Sequence, residues 1–221
     1  MVRPKKIGEF RNKLAKTAQT SHYQVFFDGL SRNLFNYLAS KGVDRRFIIE
    51  NAGLLCNSAS IPGSTLGTSD IFGNFTGVQE KFAHTRIFTE LVLSFYVDSD
   101  YKMIKFLEHW IEYISSGSEI SKNSFFSKSS PAYFYRMRYP RGASGYKCDR
   151  VKIVKFERDY DQELEYSFIG MFPISLSSTP VQYGNSDTLQ VNCTFNYERY
   201  VAGKDFSLNV QRGDNENFRL F

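Results

Sequence analysis

The sequence predicts a mainly β chain, an antiparallel β-sandwich or barrel with one flanking α-helix. Three observations carry this prediction. The 221 residues include 21 Phe and 14 Tyr against one Trp, a bias that suits sheets and broad packed interfaces. Several stretches alternate apolar and polar residues over strand lengths and are bounded by turn residues. One stretch, in the first half, repeats apolar residues at helical spacing over about three turns. The length suits a single domain with a proper core, read as residues 22–202 between a basic arm, 1–21, and a tail, 203–221.

In the arm, Ile7, Phe10 and Leu14 are spaced for one face of a short helix over 6–18, among Arg3, Lys5, Lys6, Arg11, Lys13 and Lys16. The first strand is HYQVFFDGL, ending at Asp28-Gly29, and FNYLASKGVDRRFIIENAG is ambiguous, with helical spacing interrupted by Gly42. LLCNSASIP reads as a strand stopped by Pro62-Gly63, and GSTLGTSDIFGNFTG as an extended loop or hairpin. FTELVLSFYVD carries apolar residues at successive positions and reads as a strand buried on both faces.

Asp98-Ser99-Asp100 offers capping oxygens to a helix over 101–115, where Met103, Phe106, Leu107, Trp110, Ile111 and Ile114 form the apolar stripe. Lys102, Lys105, Glu108, His109 and Glu112 form its outward flank. Residues 115–131, rich in Ser with Phe125 and Phe126, read as an inserted loop. Strands follow at AYFYRMRY, CDRVKIVKFERD and ELEYSFIGMFPIS, the last two joined as a hairpin through Tyr160-Asp161-Gln162, and TLQVNCTFNYERY closes the set. The tail is polar until Phe218, Leu220 and Phe221.

The closing strand holds the most informative pattern. Leu189, Val191, Cys193, Phe195 and Tyr197 alternate with Thr188, Gln190, Asn192, Thr194 and Asn196, so one face is apolar and the other polar without charge. A solvated sheet face ordinarily carries some Lys or Glu, whereas a face turned to a channel or a subunit need not.

Known chemistry finds little support. GSTLGTS lacks the Gly-Lys-Ser/Thr of a phosphate loop; His22, His84 and His109 stand alone; Glu163 and Glu165 read as solvated strand carboxylates. Cys148 beside Lys147 reads as a small strand residue, and Cys56, Cys148 and Cys193 form neither a disulfide framework nor a zinc pattern, which fits a reducing compartment. No catalytic, metal or cofactor site is expected. A secretory leader and a membrane span are not expected either, so the sequons at Asn74 and Asn192 read as accidental.

At Gly170-x-Phe172-Pro173, with Ile174-Ser175, a polar linker and the aromatic-ended strand through Tyr197, the chain resembles the closing hairpin of tail-tube-type proteins of T-even-like contractile phages. Upstream, Ile61-Pro62-Gly63, the stretch KFAHTRIFTELVLSFYVDSD leading to the helix with Trp110, and VKIVKFERD occur in the family's order. The likeness spans roughly Leu54 to Tyr200, and His84-Thr85-Arg86-Ile87-Phe88 departs from the family's wording before the long strand.

The resemblance implies a virion structural protein assembled in the host cytoplasm, a homo-oligomeric, hexameric ring in the tail tube. Its implied partners are baseplate and tube proteins, with the sheath as a further one, and DNA passes transiently through the lumen. It implies that Gln190, Asn192, Thr194 and Asn196 face the lumen or a neighbouring subunit, and that Ile7, Phe10, Leu14, Phe218, Leu220 and Phe221 dock partners. The basic arm and aromatic tail favour the ring that initiates the tube at the baseplate over the main tube subunit. A net charge of +5 and a pI near 9.0 keep a nucleic-acid-binding module in view, while an enzyme has no clustered catalytic types to support it.

Overall fold

The computed structural model describes Ile7, Arg11 and residues 17–71, 77, 79–116, 136–157, 163–184 and 187–203. Its centre is a pair of four-stranded antiparallel sheets. The first sheet has the order β1 (Tyr23–Asp28), β8 (Arg150–Phe156), β9 (Glu163–Ile169), β12 (Arg199–Ala202). The second runs β10 (Phe172–Leu176), β11 (Gln190–Asn196), β5 (Leu91–Tyr96), β2 (Cys56–Ala59). This is the mainly β architecture that the periodicities predict.

Two predicted strands are each divided in the fold. The stretch 163–175 leaves the first sheet as β9, turns at Gly170 with φ +68°, and enters the second as β10. The closing stretch 188–200 makes the reverse passage, from β11 through Tyr197 and Glu198 to β12. Apolar residues keep one alternating register through the first corner, from Leu164 to Leu176, so periodicity alone does not reveal that change of sheet; at the second corner the register breaks after Tyr197, where Glu198 and Arg199 follow one another. The corners are joined: the Glu198 N–H donates to the Ile169 carbonyl at 3.0 Å, and the Gly170 N–H donates to Asp149 Oδ1 at 3.0 Å.

The ambiguous stretch resolves into α1 (Arg32–Ser40) and a π-helical turn (Phe47–Asn51). Ser31 starts α1 by accepting the Leu34 N–H on its hydroxyl at 3.3 Å, satisfying one orphan amide. The predicted major helix is α2 (Lys102–Ile114). Asp98 Oδ1 accepts the Met103 N–H at 3.2 Å, while Tyr101, at φ +57°, makes the left-handed step into the helix. Met103, Phe106, Leu107 and Trp110 are buried as the stripe requires, but Tyr113 is buried too, whereas Ile111 and Ile114 are only partly covered. The cause is a second neighbour: the Tyr37 ring of α1 lies 5.3 Å from that of Tyr113.

The core joins both sheets to α2. Phe27 on β1 lies 6.2 Å from Phe95 on β5, 6.3 Å from Phe195 on β11 and 5.5 Å from Phe106, and Trp110 lies 6.1 Å from Phe195. These rings are fully buried, and offset or edge-on pairs of this kind add to the burial they share. The strand 88–98, expected to be covered on both faces, is covered on one: Leu91, Leu93 and Phe95 are buried, whereas Val92 and Tyr96 are exposed. The apolar character of Val92 and Tyr96 in the sequence does not reflect the core.

The turn-rich stretch supplies one strand of a hairpin, β3 (Ser64–Ile71), whose partner β4 (Glu80–Phe88) lies beyond it in a segment not read as a strand; the pair is bulged between Gly67 and Thr68. A small pair joins β6 (Ser115–Ser116), where the expected insertion 115–131 begins, to β7 (Arg136–Met137), within the predicted strand AYFYRMRY; 117–135, which holds the rest of the insertion and the start of that strand, lies outside the described residues. The turn at Tyr160-Asp161-Gln162 lies outside them as well, although β8 and β9 pair as the hairpin predicts, Val151 opposite Phe168.

Candidate assembly and channel surfaces

The second sheet has an apolar side and a polar side. On β11, Val191, Cys193 and Phe195 turn inward and are buried; Gln190, Asn192 and Asn196 are exposed and Thr194 half-buried. Because Phe195 meets Trp110, the polar side is the one turned away from α2. Antiparallel register extends that side across the sheet: Asn192 lies opposite Ser94, which lies opposite Ser58, and Thr194 lies between Ser175 and Val92. Gln190 lies opposite Tyr96.

None of the four strands of this sheet contains a charged residue. The first sheet differs, with Asp28, Arg150, Lys152, Lys155, Glu163, Glu165 and Arg199 in its strands. There Glu165, expected to be a solvated carboxylate, instead pairs with Lys152 at 2.9 Å and is mostly covered. Sequence reasoning found the uncharged face on β11 and missed Ser58, Ser94, Tyr96 and Ser175; the absence of charge in 56–59, 91–96 and 172–176 was the available signal.

The second surface is the β3–β4 hairpin. Its strands pair with each other and, among the described residues, with no other strand. Leu66, Ile71, Phe82 and Ile87 are 51–58% exposed on it. Its base is tied to the body where Phe88 packs on Tyr200, ring centroids 5.3 Å apart, and where Arg86 donates to the Tyr200 hydroxyl at 3.1 Å.

Of the expected docking residues, Ile7 is helical and 87% exposed; Phe10, Leu14, Phe218, Leu220 and Phe221 lie outside the described residues. The cysteines are structural. Burial pushes the Cys148 thiol up to about 12, and its Sγ–H donates to the Asp28 carbonyl at 2.9 Å. Burial likewise raises Cys193 to about 12 and Cys56 to about 11, away from thiolate chemistry. His109 pairs with Glu112 at 2.7 Å, His84 bonds Thr85 and His22 bonds Ser21. Among the described residues no His, Cys, Asp and Glu cluster could hold a metal ion, and no helix is long and apolar enough to cross a membrane.

The same architecture occurs in chains of contractile injection systems. One, from the sheath–tube complex of an extracellular contractile injection system (PVC) in its extended state, superposes with a TM-score of 0.53 at 11% identity, covering 90% of this chain and 99% of the other. A second, from the tube-terminating cap of the anti-feeding prophage, gives 0.53 at 14%, covering 86% and 92%. A third, from the anti-feeding prophage baseplate, gives 0.50 at 13%, covering 85% and 96%. A search of curated proteins by sequence finds no match. At these identities the likeness establishes the fold; family membership rests on the sequence profile described as phage tail tube protein, which matches residues 18–203 and so takes in both sheets, α2 and the hairpin. The chain belongs to the phage tail tube protein family.

Proposed function

We propose that this chain is a virion structural protein of a contractile, T-even-like tail, forming a hexameric ring at the baseplate–tube junction from which the DNA-conducting tube grows. The observation that carries the proposal is the β3–β4 hairpin. A two-stranded ribbon with large apolar side chains half exposed is marginal in water by itself and gains most by burial against another copy. A head-to-tail contact of this kind closes into a ring when its rotation divides a full turn. The uncharged sheet then suits the bore, since a wall without Lys or Arg neutralises no phosphates and lets DNA slide.

The junction role is supported by the segments flanking the family match, 1–17 and 204–221, which give the ring a basic arm and an aromatic-ended tail for baseplate partners. A second reading, the main tube subunit wrapped by sheath, is favoured by the near-complete coverage of a chain from an extended sheath–tube complex.

Electron micrographs of the purified chain, alone and mixed with baseplate components, test the proposal. Rings or tubes are expected, and removing the hairpin, 64–88, should abolish them; a chain that stays monomeric under every condition would refute the ring. Deleting 1–18 or 203–221 should leave a folded core by circular dichroism yet abolish attachment to baseplates. Truncated chains that nucleate tubes as well as the intact one would assign the main tube role instead.

A further inference from the structure

By connectivity the β3–β4 hairpin belongs to the second sheet, leaving after β2 and returning into β5, yet side chains at its base reach across to the first. Gly63 and Thr89 close the ribbon: the Thr89 N–H donates to the Gly63 carbonyl at 3.3 Å and the Gly63 N–H to Thr89 Oγ1 at 3.3 Å. One step further out, Tyr200 of β12 catches both strands. Its hydroxyl donates to Ser64 Oγ on β3 at 3.3 Å and accepts from Arg86 on β4 at 3.1 Å, and Arg86 donates to Ser64 Oγ at 3.1 Å as well. The Arg86 guanidinium carbon lies 5.0 Å from the Phe88 ring centroid and 5.1 Å from that of Tyr200. Tyr200 is in turn edge-on to Tyr166 of β9 at 5.7 Å.

We propose that Arg86, Tyr200 and Ser64 form a latch that fixes the angle at which the hairpin leaves the body, and that this fixed pose is what a second copy of the chain meets on assembly. A two-stranded ribbon joined to the body at one end has little to hold it in one orientation. Here both of its strands are tied to a tyrosine on the other sheet, so swinging about Gly63 and Thr89 would break three hydrogen bonds and a ring stack together. Arginine suits the role better than lysine, because its planar group lies over two rings while its terminal nitrogen reaches two oxygens; an ammonium has no plane to stack. A pose set in advance removes part of the ordering cost of docking. Arg86 is thus a positioning residue, and Ile71 and Phe82, further out on the ribbon, supply exposed apolar area. The latch is a property of the single folded chain; that its pose serves docking rests on the proposed ring.

Hydrogen–deuterium exchange of the full chain, read on peptides from 64–71 and 80–88, tests the latch, and micrographs at rising concentration test its use. Arg86→Gln is expected to speed exchange in those peptides about fivefold, to leave 91–96 and 190–196 as protected as before, and to raise the concentration at which rings form. Tyr200→Phe, which keeps the ring contacts and loses only the hydroxyl, should fall between, as should Arg86→Lys. Lys105→Gln on α2 should match the unaltered chain. If Arg86→Gln lowers the melting temperature, Tyr200→Phe carries the comparison. Unchanged exchange in 64–71 and 80–88, or faster exchange spread evenly over the core strands, would overturn the latch. A loosened hairpin with rings forming at the unaltered concentration would overturn its use in assembly. If the unaltered chain forms no rings, the tube reading fails, while the exchange result still decides the latch.

Discussion

Gly170 and Glu198 occupy facing corners where the chain passes between the two sheets, and a Cβ built on Gly170 would lie 2.8 Å from Glu198 Cδ. Glu198 cannot simply swing aside, because its carboxylate accepts from Arg141 at 2.6 Å and from Lys147 at 2.8 Å. Arg141 also reaches Asp149 at 3.3 Å, whose Oδ1 accepts the Gly170 N–H. One charged cluster therefore holds both crossings.

Gly170→Ala should destabilise the chain by about 1–3 kcal/mol, from the left-handed backbone at φ +68° and the crowding at Glu198. Chemical denaturation measures this. Adding Glu198→Ala should recover the crowding part and leave the backbone part, so a double variant no more stable than the sum of the singles would show that the two corners are not coupled.

The corner should also weaken in acid. The hydrogen bond from Lys147 holds the Glu198 carboxyl below its ordinary range; partial burial opposes this and Arg141 adds to it. A carboxylate whose folded pKa is depressed contributes stability that is fully present above its unfolded pKa and is lost as pH falls through the folded value. Thermal melts across the acid range should therefore show a shallower loss for Glu198→Gln than for the unaltered chain. Superimposable acid limbs would remove Glu198 from the account. Exposure of the group and salt screening keep the effect modest.

Trp110 packs α2 onto Phe195 of the second sheet and donates its indole N–H to the Tyr146 carbonyl at 3.0 Å. Trp110→Ala should cost about 3–5 kcal/mol through lost burial and a cavity. Trp110→Phe should cost about 1–3 kcal/mol, chiefly because the Tyr146 carbonyl loses its donor. A loss below about 1 kcal/mol for Trp110→Ala would show that the helix does not depend on this anchor.

Asn192→Lys with Thr194→Lys places two charges on the uncharged face while leaving the buried Val191, Cys193 and Phe195 untouched. The subunit should keep its melting temperature within a few degrees, yet assemble poorly or slow DNA passage, since each charge is repeated around a ring. Normal particle assembly and infectivity in the variant would place this face elsewhere.

The sequence by itself determined the local elements. Period-two alternation in 23–28, 150–156 and 190–196 and the helical stripe from Met103 to Trp110 follow from which side chains must leave water, and each is present in the structure. The uncharged face of β11 was equally legible, because burial of Val191, Cys193 and Phe195 forces Asn192 and its neighbours to the other side. Only the tertiary structure decided that 163–175 and 188–200 each serve two sheets, that the uncharged face continues onto β2, β5 and β10, and that the hairpin stands apart from the body. It also decided that Val92 and Tyr96 face outward opposite Thr194 and Gln190 rather than into the core. The physical reason is that alternation encodes which side chains share a side of one strand, while the identity of the neighbouring strand depends on contacts between residues far apart in the chain: Asp149 with Gly170, Arg141 with Glu198, Phe27 with Phe195.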